Sequence, residues 1–119
     1  MANIKPNPFQ DLEDRTFLFA HRVNQYVNQL PQTISHKENG KQLVRSAGSV
    51  GANYIEANES LSKKDFAMRV KISKKETKES RYWLMLTEPQ KNHEEEKNSL
   101  IRETVELMKI LGAILEKSK

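Results

Sequence analysis

Two groups of side chains in this chain have types and spacings that could do chemistry, and both fall between Ser62 and Tyr82. The first is basic. Lys63, Lys64, Arg69, Lys71, Lys74, Lys75, Lys78 and Arg81 stand against Asp65, Glu76 and Glu79, eight positive residues against three negative, an excess of five. At about 100° per residue of helix, Lys64, Lys71, Lys74, Lys75 and Lys78 share one face, with Lys63 and Arg81 at its edge. A stripe of that kind can neutralise phosphates and release their counterions. A solvated outer face is the alternative, since lysine is the usual surface residue of a helix. Tyr82 is the one aromatic near the stripe, so the pattern favours backbone binding over stacking along a single strand.

The second group is the pair Glu76-x-x-Glu79, which falls on the same helical sector as Ile72 and Trp83 and beside the apolar row. Carboxylates there need partners. Arg69 lies in the same sector, and Arg45 and Asn53 are candidates from the preceding helix. Di-metal bundles use Glu-x-x-His on paired helices. Here His21, His36 and His93 all lack that spacing. The pair therefore reads as a hydrogen-bond network and not as a metal site, and no cofactor is expected. Upstream, Arg45, Ser49, Asn53 and Glu56 form a second polar line, which reads as a structural or subunit-interface strip. No Ser-His-Asp arrangement, P-loop or GxGxxG is present. The chain reads as non-enzymatic.

The elements that carry these groups are helices. Leu12, Thr16, Phe19, Val23, Tyr26 and Leu30 recur in steps of three and four and define one face, widened by Ala20 and Val27. Pro6 and Pro8 predict an extended arm over residues 1–10, with Asp11 as N-cap. Pro31 ends this helix, and Gln32 to Gly40 reads as a polar loop. The second helix follows with Leu43, Ala47, Val50, Tyr54 and Ala57. Gly48 and Gly51 each cost about 1 kcal/mol in its interior, a cost offset where small residues let a neighbouring helix approach closely. After a turn at Asn58–Ser62, Ser62 or Asp65 caps a third helix that runs to Thr87, with Phe66, Val70, Ser73, Thr77 and Leu84 facing the core. A fourth begins near His93 or Glu94, its three opening glutamates matching the positive helix N-terminus. Its row is Leu100, Ile101, Thr104, Leu107, Met108, Leu111, Ile114 and Leu115. Four helices with short connections and no strand signal predict an all-α, antiparallel up-down-up-down four-helix bundle in one domain over residues 1–119.

The 119 residues have a low apolar fraction, 36%, and a net charge of +4. So thin an apolar supply points to part of the core lying between subunits. There are no cysteines, which leaves no disulfides or thiolate sites. No apolar run reaches the roughly 20 residues of a membrane span, and the start lacks a signal-peptide pattern. The expectation is a cytoplasmic protein with no membrane partner.

At Arg45-Ser46-Ala47, Ser49-Val50, Ala52-Asn53, Ile55-Glu56, Asp65-Phe66, Lys75-Glu76, Glu79 and Tyr82-Trp83-Leu84, the chain resembles the four-helix-bundle family encoded in 23S rRNA intervening sequences. The resemblance covers nearly the whole chain. It departs at Asn53-Tyr54-Ile55-Glu56-Ala57, where members usually have Asn-Ile-x-Glu-Gly or Glu-Ala, and at Ser73, which replaces a usual alanine. The resemblance implies an antiparallel bundle that assembles into a homo-oligomeric ring, commonly a pentamer, and a role in binding structured RNA. A similar bundle is the accessory protein of diversity-generating retroelements, which implies as an alternative a scaffold that docks a protein partner such as a reverse transcriptase. The resemblance implies no enzymatic activity.

Overall fold

The structure, a computed structural model, describes the backbone of residues 8–119 and the side chains of 11–119. Its helices are α1 (Pro8–Asn28), α2 (Ile34–Asn58), α3 (Lys63–Leu86) and α4 (Glu94–Lys117), with a 3-10 turn at Lys91–His93 before α4. At 1.5 Å per residue the 24 residues of α3 span about 36 Å. The described residues contain no strand.

The cross-helix bonds fix the antiparallel order. Arg15 and Arg22 on α1 reach Glu103 and Glu96 on α4. Arg45, Ser46 and Asn53 on α2 meet Glu76, Ser80 and Arg69 on α3. Residue numbers rise on one helix as they fall on its neighbour, from Arg15–Glu103 to Arg22–Glu96 and from Ser46–Ser80 to Asn53–Arg69. The rows read from periodicity are the buried ones: Leu12, Phe19, Val23 and Tyr26 from α1, Leu43, Ala47, Val50, Tyr54 and Ala57 from α2, Val70 and Leu84 from α3, and Leu100, Leu107 and Leu111 from α4. Phe66, Trp83, Ile101, Ile114 and Leu115 pack against this core while half-buried.

Two sequence expectations fail at helix starts. The extended arm over residues 1–10 is wrong for Pro8–Gln10, which already belong to α1, so Asp11 is inside the helix and not its cap. Proline suits a first helical position, because its missing N–H would have no partner there and its φ is preset. The rest of the expected arm, residues 1–7, lies outside the described residues. The expected loop over Gln32–Gly40 is also wrong, since α2 begins at Ile34. Thr33 caps it, its hydroxyl accepting from His36 N at 3.1 Å. The first turns of α2 look like a loop in sequence because they are largely exposed. Gly40 is buried within the helix, where an added Cβ would stand 3.0 Å from Val27 Cγ1.

The other boundaries agree with the sequence reading. Ser62 caps α3 by accepting from Asp65 N at 3.1 Å, and α4 opens at Glu94.

Candidate nucleic-acid interface

The tightest packing in the bundle, between α2 and α3, decides what α3 shows to solvent. The facing residues there are small and polar. Ser73 Oγ donates to the Val50 carbonyl at 2.7 Å, and the Ser46 and Ser80 hydroxyls pair at 2.9 Å. All three serines are fully buried. Serine in place of leucine at these positions brings the two helices close and satisfies each buried hydroxyl. Outside this row lies a charged one. Arg45 donates to Glu76 at 3.2 Å and also to Glu79, and the Trp83 indole N–H donates to Glu79 at 3.2 Å. Arg69 donates to Asn53 at 3.3 Å. Desolvation pulls the Arg45 guanidinium down, but its bond to Glu79 and the charges of Glu76 and Glu79 raise it on balance.

Both glutamates of α3 are therefore turned toward α2, where they share the one guanidinium of Arg45. The opposite, outer face keeps the lysines. Lys63, Lys64, Lys71, Lys74, Lys75 and Lys78 are all exposed. Among the described residues none of these six makes an ion pair. Lys74 lies beside α4, its amine 3.5 Å from where a Cβ at Gly112 would stand, an ordinary contact distance. From Lys64 to Lys78 the helix rises about 21 Å. Arg81 does not join the face on equal terms. It is half-buried, and its Nε is enclosed without a hydrogen-bond partner among the described residues.

A family model described as 23S rRNA-intervening sequence protein matches residues 11–113. The chain belongs to that family. The match includes α2 and α3 entire, and so every residue of the lysine face and of the polar seam behind it. A solved structure from Bacteroides thetaiotaomicron VPI-5482, described as a protein with unknown function from the S23 ribosomal protein family, is similar at 28% identity, with a TM-score of 0.75 over 91% of this chain and 97% of that one. No curated protein matches the chain.

In this member of the 23S rRNA-intervening sequence protein family, the polar line read on α2 divides. Arg45 and Asn53 reach α3 of the same chain. Ser49 contributes its main-chain carbonyl, which accepts from Asn53 Nδ2 at 2.9 Å. Glu56 is exposed, and its carboxylate joins none of these bonds. One oxygen of each glutamate is engaged, Glu76 Oε2 by the Arg45 guanidinium and Glu79 Oε1 by the same guanidinium and the Trp83 indole N–H.

Three features escaped the sequence reading. Ser46 and Ser80 form the centre of the seam, and their only sequence signal is that Ser80 continues the i+7 step from Ser73. Arg15 donates to Glu103 through two nitrogens at 2.8 Å each, and Arg22 reaches Glu96 and Ser99, bridging α1 and α4 where their packing is sparse. Finally, Met68, Tyr82, Met85 and Leu86 are exposed alongside the lysines of α3. No helix among the described residues is long and apolar enough to cross a membrane.

Proposed function

We propose that this protein is a non-enzymatic binder of structured RNA, which it holds by the sugar–phosphate backbone along the outer face of α3. The observation that carries the reading is the division of charge on that helix. Its two seam glutamates are turned to Arg45 on one side, while six lysines that make no ion pair among the described residues face solvent on the other. Lysine amines on flexible stems suit phosphate oxygens without reading base edges, so the binding is expected to have little sequence preference. The family's description, which ties it to an insertion in 23S rRNA, supports RNA as the polymer.

The test is a titration of a labelled RNA stem-loop followed by fluorescence anisotropy across a salt series. Affinity is expected to fall steeply with salt, each neutralised phosphate adding roughly 0.7 to 0.9 to the slope of log K against log salt. The charge reversal K71E/K74E/K75E/K78E is expected to abolish binding and leave the helical circular dichroism unchanged. Wild-type binding by that variant would overturn the proposal.

A second reading has its own observation. On the outer side of α1 and α2, Phe17 is 72% exposed, and the α1–α2 register places it level with Gly51, between exposed Val44 and Ile55 and beside exposed Gly48. This apolar strip fits self-association of the chain into a homo-oligomer, a pentameric ring on the family resemblance, that would serve as a scaffold for a partner protein. Light scattering on the eluted protein tests it. Phe17→Glu is expected to shift an oligomer toward monomer, and an already monomeric wild type would sink the reading.

A further inference from the structure

The lysines stop at a defined point on α3, and the chemistry of the face changes there. Tyr82 follows Lys78 by one helical turn on the same side, and Met85 and Leu86 continue beyond it, all exposed. From Tyr82 to Gln90 the chain contains no lysine or arginine. A polyanion lying along Lys64 to Lys78 therefore loses its countercharge at Tyr82 and meets an aromatic ring instead. The ring is 57% exposed, and Trp83 braces it edge-on, with ring centroids 5.0 Å apart and planes at 76°. Trp83 is in turn held by its bond to Glu79, which Arg45 fixes to α2. The most exposed aromatic of α3 is thus backed by the same network that strips carboxylates from the lysine face.

A ligand complementary to this surface is polyanionic along its length and presents a flat apolar group at one end. The interior of a duplex does not qualify, because its base faces are covered by their neighbours. An unpaired nucleotide next to a stem does. We propose that Tyr82 is a stacking platform for an unpaired base at the end of an RNA stem, so that α3 recognises a stem–single-strand junction and not a continuous duplex. This rests on the RNA reading above and specifies its ligand class.

The probes are two labelled RNA duplexes with the same stem, one blunt and one carrying a short unpaired 3′ or 5′ extension, titrated at the same salt. Base–aromatic stacking is worth roughly 1–3 kcal/mol per base, so the wild type is expected to prefer an extended probe by about 5- to 150-fold. Tyr82→Leu is expected to erase that preference while binding the blunt duplex as before, which also shows that the variant is folded. Tyr82→Phe and Tyr82→Trp are expected to keep the preference. Trp83, the single tryptophan, supplies a second readout, since a base stacked on its neighbour should alter its emission only with the extended probe. Equal wild-type affinity for blunt and extended probes overturns the junction proposal and leaves backbone binding standing. So does a preference unchanged in Tyr82→Leu. Failure of the wild type to bind either probe at low salt overturns both.

Discussion

Arg45 on α2 donates to Glu76 on α3 across 3.2 Å, on a different side of α3 from its exposed lysines. Glu76 leaves only 12% of its side chain exposed, against 46% for Arg45. The carboxylate is the member of the pair that depends on the other. Removing the arginine strands it at the edge of a buried serine seam, close to the Ser46–Ser80 pair. Arg45→Ala is expected to destabilise the protein by about 1–2 kcal/mol, the cost of losing charge-assisted bonds discounted for the exposure of the guanidinium. Urea unfolding would measure it as a lower midpoint at unchanged slope. An unchanged midpoint would mean that water replaces Arg45 at no cost.

Gly48 and Gly51 make opposite predictions from the same residue type on the same helix. A Cβ at Gly51 would stand 2.9 Å from Thr16 Oγ1 and 3.3 Å from Thr16 Cβ, whereas at Gly48 it would meet nothing within 4 Å. Thr16 cannot easily move aside, because it is buried and its hydroxyl bonds the Leu12 carbonyl at 2.9 Å. Gly48→Ala is expected to stabilise by about 0.5–1 kcal/mol through helix propensity. Gly51→Ala is expected to destabilise by about 1–2 kcal/mol as overpacking outweighs that gain. Thermal melts of the two variants should move in opposite directions, and a stabilised Gly51→Ala would show that α1 and α2 can part without penalty.

Two buried phenols make the fold sensitive to alkali. Burial raises the Tyr26 and Tyr54 hydroxyls above their ordinary 10.0, with the bond from Thr87 working against the rise at Tyr26. The folded state therefore holds these protons more tightly than the unfolded chain does. The stability they contribute is complete below about pH 10 and is lost as pH rises through their folded-state values. Unfolding midpoints measured from about pH 8 to pH 12 should be flat at first and then fall. Tyr54→Phe should soften that fall. A variant as alkali-sensitive as the wild type would assign the loss to other groups.

Much of this architecture was legible because helical periodicity survives even where the residues are polar. Ser73 and Thr77 sit in a row with Val70 and Leu84, and they are as buried as those two. The lysine stripe was legible for the same reason. Which of the candidate partners holds Glu76 and Glu79 was not, because Arg45 lies 31 and 34 positions away in sequence. The start of α2 was hidden by composition. Ser35, Lys37 and Glu38 are exposed and give no apolar period, and Gly40 looks like a break although it is a close-packing position against Val27. Ser46 escaped because a serine beside a lone core row is indistinguishable from a surface serine until the facing helix supplies Ser80.

A hydroxyl pair helps tie the end of the bundle where α1 turns into α2 and α3 into α4. Tyr26 and Thr87 are both buried, and their oxygens are 2.7 Å apart. The same loop region receives Lys97, whose amine donates to the Thr87 carbonyl at 2.7 Å, and His36, whose Nε2 accepts from Glu88 N at 3.0 Å. Thr87→Val keeps the shape of the side chain but leaves the phenol buried with nothing to bond, which should cost about 1–3 kcal/mol. Tyr26→Phe leaves Thr87 its bond to the Leu84 carbonyl at 2.6 Å, so its cost should be smaller, about 1 kcal/mol. Because replacing both partners removes the unmet demand, the double variant should be less destabilised than the sum of the two single changes, by about 0.5–3 kcal/mol of coupling. A double-mutant cycle by chemical unfolding reads that number directly. Strict additivity would mean the two hydroxyls do not depend on one another, and that the bond from Glu88 N to His36 does more to hold the two turns together.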